Sequence, residues 1–205
     1  MLVSRRTKIA ALVLCLSLAG GAALIFVQSN CPASGFGLTT RKRALLRLKN
    51  RDAEPDQADF DARVTLAALL APGDDRARWG EGRAAVVEGY VVEVRPGAVE
   101  AANCFSLAER DTHIHVAPHA DSPTRESVVI EVTPRTRRAA AGRGQDWSQE
   151  GLRRALGGRR CRFEGWLLYD REHDEEAEHT APGRAGNWRA TAWEIHPATR
   201  IEVLD

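Results

Sequence analysis

The sequence lacks the short motifs that mark common nucleotide-binding and hydrolytic enzymes. It has no phosphate-binding glycine-rich loop, no dinucleotide fingerprint, no Gly-x-Ser-x-Gly, no His-Glu-x-x-His and no Cys-x-x-Cys. No internal repeat is visible, and lysine is absent after Lys49. The sequence therefore offers no short motif that identifies an enzyme of these classes.

Negative charge outnumbers positive charge in the larger part of the chain. Residues 58–205 carry 20 Arg and 25 Asp/Glu, whereas residues 1–57 carry nine Lys/Arg and three Asp/Glu. Because binding to phosphates requires an excess of cations, the acidic part argues against a nucleic-acid partner. The length of 205 residues and the 43% apolar content suit one ordinary domain with an appendage.

A long apolar run stands near the start of the chain. Residues 1–8 form a basic region, and the 19 residues 9–27 are uncharged. As a helix, such a run covers about 28 Å, close to the ~30 Å hydrocarbon core of a bilayer. The pattern predicts a transmembrane anchor, with a cleaved signal segment as the alternative.

The basic first residues predict a single-pass protein of the inner membrane, with its domain facing the periplasm or the cell exterior. A second basic stretch at residues 41–51 leaves the reverse orientation open.

The segment between the apolar run and the domain is polar. Residues 28–57 hold the basic stretch and then several acids, which predicts a linker, with a poorly packed helix as the alternative. The soluble domain is expected over residues 58–205. It begins with a predicted helix at 58–71, which Pro72 and Gly73 would end.

From residue 83 onward, short runs of β-branched and aromatic residues predict strands. They lie at residues 86–94, 112–116, 127–133, 161–169 and 188–196, with 201–204 as an extension. A helix is predicted between the third and fourth strands. Three strands, a helix and two strands is the order of an oligonucleotide/oligosaccharide-binding (OB) barrel. We therefore expect a mainly β fold, a small OB-like five-stranded barrel with one or two helices, preceded by an N-terminal transmembrane helix. The alternatives are an open α+β sheet or another small barrel.

Four phrases of the domain resemble a family of uncharacterised exported bacterial proteins with an OB-like fold. They are APGDD at 71–75, RDTHI at 110–114, EVTPR at 131–135 and WRATAWEIHP at 188–197. The resemblance spans roughly residues 60–205. It implies a discrete exported domain, and it implies no activity, substrate, cofactor or catalytic residue.

Two predicted strands carry polar residues at alternate positions. Asp111, His113 and His115 share one face of the second strand, and Glu194 and His196 share one face of the fifth. Imidazole and carboxylate groups suit a divalent transition metal. In an OB barrel a third strand separates the two sets by about 9–10 Å, so curvature must bring them together. The alternative is that His113 is a hydrogen-bonded structural residue and His115 is solvated.

Other polar and aromatic residues indicate a surface for a ligand. Trp188 and Arg189 are expected at the rim of the barrel, where the indole could stack on a sugar or base. His173 lies in an acidic loop at residues 170–179, which is expected to be solvated, with a Ca²⁺ loop as the alternative.

Two late cysteines fall in the predicted domain. Cys104 and Cys161 are expected to form a disulfide, because the first and fourth strands are neighbours in an OB barrel. A Cys–His nucleophile is the alternative, and no neighbouring residue supports it.

These patterns favour a membrane-tethered extracytoplasmic binding module for a protein or an envelope saccharide, without a cofactor. The rival hypothesis is a metal-dependent hydrolase, of phosphodiesterase or nuclease type, on the same barrel. Arg189 would then stabilise an anionic transition state beside a divalent metal. Its other catalytic residues would be Asp111, His113, Glu194 and His196.

Overall fold

The computed structural model describes residues 31–205, so the predicted anchor at residues 9–27 lies outside the described part of the chain. Within residues 31–205, no helix has the length and apolar character needed to cross a membrane.

Five strands form a closed barrel. They are β1 Ala84–Pro96, β2 Thr112–Ala117, β3 Val128–Val132, β4 Arg160–Tyr169 and β5 Trp193–Val203. Their order around the barrel is β1-β2-β3-β5-β4, and β4 pairs with β1 to close it. The β3–β5 pair is parallel and the other pairs are antiparallel. The prediction of a mainly β, five-stranded barrel is confirmed, although the last strand begins later than expected.

The barrel interior is filled by apolar side chains that alternate with outward-facing residues along each strand. Val87, Ile114, Ile130, Phe163 and Ile195 are all fully buried in one core. Two glycines, Gly89 of β1 and Gly165 of β4, have no room for a side chain. A Cβ at Gly89 would lie 2.6 Å from the Leu66 side chain, and one at Gly165 would lie 2.7 Å from that of Ile195. The absence of a side chain at these positions lets the strands curve tightly enough to close.

Four α-helices of the described chain lie outside the barrel, rather than the one or two expected. They are α1 Thr40–Lys49, α2 Leu66–Leu69, α3 Pro134–Gly142 and α4 Gln149–Leu156. The helix predicted after the third strand corresponds to α4, whose Ser148 side chain accepts a hydrogen bond from Gly151 N. The helix α3 was not predicted. There Thr133 caps the N-terminus and Pro134 occupies the first turn, where a proline is tolerated.

The helix predicted at residues 58–71 is wrong over most of its length. The backbone pairs with the barrel instead, since Phe60 forms a β-bridge with Ala84 and Asp61 N donates to Ala84 O at 2.9 Å. A new helix begins only after Thr65, whose hydroxyl accepts a hydrogen bond from Ala68 N. Pairing with the edge of β1 therefore overrides the helical pattern of the apolar residues.

The prediction of a linker at residues 28–57 is also wrong for the described residues 31–57. Leu46 and Lys49 of α1 are each 1% exposed. Arg51 donates hydrogen bonds to the carbonyl oxygens of Leu167 and His196, at 3.1 and 3.4 Å. This segment therefore belongs to the domain and packs against β4 and β5.

The disulfide differs from the predicted Cys104–Cys161 pair. Cys104 is bonded to Cys31, with 5.8 Å between the Cα atoms. Among the cysteines of residues 31–205, Cys161 is left unbonded and is buried. The reason is positional: Cys161 lies opposite Gly89 in the middle of β1, whereas Cys104 lies beyond the far end of that strand.

Candidate metal centre

Buried polar side chains gather where β2, β3 and β5 lie side by side. Glu131 of β3 stands opposite His113 of β2 in the antiparallel register. On the other side of β3, the parallel register with β5 pairs Ile130 with Ile195, so His196 follows next to Glu131. Asp111 comes immediately before β2. The central strand thus carries a carboxylate between the polar residues of its two neighbours.

Three of these residues have the spacing of a metal site. One ligand atom from each of Asp111, Glu131 and His196 lies within 4.8 Å of the others. The three residues are 3, 2 and 0% exposed. Asp111 Oδ1, Glu131 Oε2 and His196 Nε2 find no hydrogen-bond partner among residues 31–205. Since buried polar atoms are normally paired, three convergent orphans form an arrangement that a metal ion would satisfy.

The imidazole of His196 is oriented by a second carboxylate. Glu194 Oε1 lies 2.9 Å from His196 Nδ1, which places the ring proton on Nδ1 and leaves the Nε2 lone pair for a ligand. Glu131 Oε2 is also 3.3 Å from Nδ1, without the geometry of a hydrogen bond. This carboxylate–histidine pair is the outer shell that metal-binding histidines commonly have.

A buried arginine holds the orienting carboxylate in place. Arg189 is 0% exposed and donates to Glu194 Oε2 and to Asp170 Oδ2, at 2.9 Å in each case. Burial alone would lower the pKa of Arg189, but Asp170 and Glu194 raise it above its usual value. A continuous chain of hydrogen bonds therefore runs from Asp170 through Arg189 and Glu194 to His196.

His113 offers a fourth ligand beside this group. Its Nε2 lies 3.2 Å from Glu131 Oε1, and neither ring nitrogen is hydrogen-bonded to a described residue. Burial and the nearby Arg95 hold the pKa of His113 well below 6.5, so the ring is neutral at pH 7. A neutral imidazole with a free lone pair is the form that binds metal.

The pKa values of the carboxyl groups in the site are raised, whereas that of His113 is lowered. Burial raises the pKa of Asp111, and burial together with Glu194 and Asp111 raises the pKa of Glu131 well above 4.5. A bound cation would favour the ionised form of both groups.

The helix α1 supplies the second buried cation. Lys49 Nζ lies 3.1 Å from Glu100 Oε2 and 3.9 Å from Asp170 Oδ1. Burial alone would lower the pKa of Lys49, but Asp170 and Glu100 raise it well above 10.5. The same ion pairs, with the hydrogen bond from His173, keep the pKa of Asp170 well below 3.8 despite burial. This side of the network is therefore fully charged.

The structure brings together part of the metal set predicted from the sequence. Asp111 and His196 meet, and His113 adjoins them. His115 does not join, because its Nδ1 lies 2.8 Å from Ser127 Oγ and its Nε2 accepts from Arg95 Nε at 3.2 Å. Burial and the charge of Arg95 lower the pKa of His115 to about 3. His115 is therefore a neutral structural residue.

Two residues of the predicted ligand surface are less accessible than expected. Arg189 is fully buried and both of its terminal nitrogens are paired, so the prediction that it lies at the rim is wrong. Trp188 lies between the guanidinium groups of Arg95 and Arg189, at 4.6 and 4.8 Å, and its ring stacks on His113. His173 is partly exposed, and its Nδ1 lies 2.7 Å from Asp170 Oδ2.

Sequence reasoning missed Glu131 as a ligand and Lys49 as a buried cation. A signal for Glu131 was present, because it is the single charged residue in the run Val128–Val132. No local signal marks Lys49, which stands among other cations of α1.

No protein-family model, curated protein or solved structure matches this chain. The function is therefore inferred from the geometry of the site.

Proposed function

We propose that the domain is a metal-binding module that holds one divalent transition-metal ion with Asp111, Glu131 and His196. Two observations carry this proposal: Asp111, Glu131 and His196 bring ligand atoms within 4.8 Å of one another, and each of the three residues has a buried side-chain atom without a partner in the described chain. One imidazole and two carboxylates form a donor set suited to zinc and to related divalent ions. His113 is the candidate for a fourth ligand.

The proposal places this module in an OB-like barrel tethered outside the cytoplasm. The strand order β1-β2-β3-β5-β4, with helices between β3 and β4, supports the OB-like assignment. The uncharged residues 9–27 support an inner-membrane anchor. The Cys31–Cys104 disulfide supports an oxidising compartment such as the periplasm.

Burial of the site favours binding over turnover. The three ligand residues are at most 3% exposed, so a substrate has little access to the ion. Arg189 is paired with Asp170 and Glu194, so its charge is not free to stabilise a transition state. A protein or an envelope saccharide remains the proposed partner of the outer surface.

One observation favours the rival hydrolase. His113 is a neutral imidazole beside the cluster, with both nitrogens unpaired within residues 31–205, and it could serve as a general base. Under that hypothesis, hydrolysis of a chromogenic phosphodiester would depend on added metal. It would be lost in His113→Gln while the ion is retained.

Metal content of the full-length protein tests the lead proposal. The protein is purified in detergent, exposed to Zn²⁺ or Mn²⁺ in separate experiments, dialysed and analysed by mass spectrometry of the elements. We expect about one ion per chain in the wild type, and loss of the ion in Glu131→Gln and His196→Gln.

The matched control for these variants is His179→Gln. His179 is also nearly buried and its Nδ1 lies 2.8 Å from Asp75 Oδ2, but it stands outside the cluster. The control should keep the ion. A wild-type protein without stoichiometric metal, or equal retention in all variants, would contradict the proposal.

A further inference from the structure

An exposed apolar patch lies beside the disulfide. Phe36, Leu38, Val99 and Phe105 are 37, 91, 40 and 52% exposed. The four side chains line one groove of about 550 Å³, and the rings of Phe36 and Phe105 are 6.1 Å apart. Contiguous apolar surface of this kind marks an interaction site more often than chance exposure.

The patch is carried on a fixed backbone. The Cys31–Cys104 bond joins the two segments that form it. Phe36 N donates to Ala101 O at 2.9 Å, and Asn50 Nδ2 donates to Ala102 O at 2.9 Å. The aromatic side chains are therefore held outward by covalent and hydrogen-bonded constraints.

The segment that carries Phe36 and Leu38 is positively charged, and the two acids that line the groove, Glu100 and Glu172, are paired with lysines of α1. Residues 31–51 contain six Lys/Arg and no Asp/Glu, in contrast to the excess of acidic residues over residues 58–205. Arg41, Arg43 and Arg47 of α1 are exposed. Arg43 Nε donates to Gly37 O at 2.8 Å, which places its guanidinium next to Leu38. Apolar side chains next to a helix with exposed arginines complement an anionic lipid surface.

The chain also brings the patch close to the predicted anchor. The uncharged run ends at Val27, four residues before Cys31. Even fully extended, four residues span about 13–14 Å. If residues 9–27 cross the bilayer, the domain must begin within that distance of the membrane surface.

We infer that the patch of Phe36, Leu38, Val99 and Phe105 docks onto an anionic bilayer surface and fixes the orientation of the domain. The apolar side chains enter the interface, and the arginines of α1 contact the lipid phosphates. This inference rests on the membrane anchor in the proposed function, and it is independent of the metal.

Quenching by brominated lipids tests the inference on the full chain. Leu38→Trp and Leu204→Trp each add one indole at an exposed apolar position. Both variants are reconstituted into vesicles of phosphatidylglycerol and phosphatidylethanolamine, with and without bromine on the acyl chains. We expect the fluorescence of the indole added at position 38 to be quenched at least about twofold more than that of the indole at position 204.

Two double charge-reversal variants, one in α1 and one elsewhere on the surface, test the role of the arginines. Arg41→Glu with Arg47→Glu should reduce the quenching of the indole at position 38. Arg125→Glu with Arg200→Glu, an equal change of charge at exposed positions elsewhere, should leave it unchanged.

Equal quenching at positions 38 and 204, in a chain that still floats with the vesicles, would overturn the docking inference and leave the anchor standing. Self-association through the patch without quenching at position 38 would overturn it as well. A chain that does not float would overturn both the docking and the anchor. Metal content, measured on the same samples, reports separately on the metal module.

Discussion

In the proposed metal centre, His196 is oriented by residues that would not contact the ion. Glu194 accepts a hydrogen bond from Nδ1, and Arg189 fixes Glu194 by a bond at 2.9 Å. The Nε2 atom of His196 has no hydrogen-bond partner within residues 31–205, and the ring adjoins Glu131. Glu194 is accordingly a positioning residue.

Replacing Glu194 by Gln tests this positioning role. The amide keeps the size of the side chain but removes the charge that makes the imidazole a stronger ligand. We expect metal affinity to fall about 10–100-fold, as for other outer-shell partners of metal-bound histidines. Competition with a chromogenic chelator measures the affinity.

A merely structural role for Glu194 would give a different result. Glu194→Gln would then lower the melting temperature of the metal-free protein and leave the affinity of the folded fraction unchanged. Glu164→Gln, at a partly exposed position of β4, is the control and should change neither quantity.

His173 gives the stability of the protein a pH dependence of known sign. The hydrogen bond and charge of Asp170 raise the pKa of His173 above 6.5, although burial, Arg189 and Lys49 oppose the shift. Protonation therefore stabilises the folded state. This contribution is complete below the unfolded pKa of about 6.5, and it is lost as the pH rises through the folded pKa.

The variant His173→Gln should remove this dependence. Melting temperatures of the wild type and the variant are compared from pH 5.5 to 8.5, and their difference should be largest at the acidic end. His119→Gln, at an exposed position, should follow the wild type throughout. A difference that grows toward alkaline pH would contradict the assignment.

At the scale of elements, α1 completes the domain. It closes the network with Lys49 and covers the core with Leu46. The disulfide between Cys31 and Cys104 closes a loop with a sequence separation of 73 residues. Such a crosslink restricts the unfolded chain and so stabilises the native one.

Replacing Cys31 by Ser should release this constraint. We expect a loss of about 2–5 kcal/mol in the free energy of unfolding, measured by denaturation in urea. The control is Cys161→Ala, which removes a thiol that takes no part in the disulfide. The stability of this variant should still fall when reducing agent is added. If reductant leaves the wild-type midpoint unchanged, the disulfide does not carry this stability.

Strands with a clear local pattern were predicted from the sequence, whereas the packing of α1 was not. Strands β1 and β4 follow from runs of β-branched and aromatic residues, because that pattern reflects local burial on a pleated sheet. The helix α1 was interpreted as part of a linker, because its basic residues suggest a solvated surface. Its burial depends on acids at positions 100 and 170, which the fold brings to Lys49 from distant parts of the chain.

Part of the site was predictable from the local alternation pattern of the strands. The alternation in β2 and β5 identified Asp111 and His196, since side chains at every second position share a face. Glu131 was missed because its role comes from the order of strands, with β3 between β2 and β5. The Cys31 bond was missed because it joins two loops outside the barrel.

At the scale of the whole molecule, the buried network holds more acid than base. Five carboxyl groups stand against two cations, Lys49 and Arg189, within one connected region that contains Glu100, Asp111, Glu131, Asp170 and Glu194. Asp170 and Glu194 are paired directly with Arg189, whereas burial raises the pKa of Asp111 and Glu131. Burial therefore penalises the ionised forms of Asp111 and Glu131, and a divalent cation between them would offset that penalty.

Metal binding should therefore stabilise the entire fold. At a free ion concentration of about 100 times Kd, the added stability is about 2.7 kcal/mol. For a domain of this size that corresponds to a rise in Tm of about 5–10 °C. Calorimetry of the full-length protein, with Zn²⁺ and then with excess chelator, measures the change. Glu131→Gln removes one buried acid, so the Tm of the metal-free variant should stay near that of the wild type. Because the variant also lacks a ligand, its Tm should not change when the ion is added. Equal rises in both proteins would assign the stabilisation to ions bound elsewhere on the surface, and the barrel would then not be the metal centre.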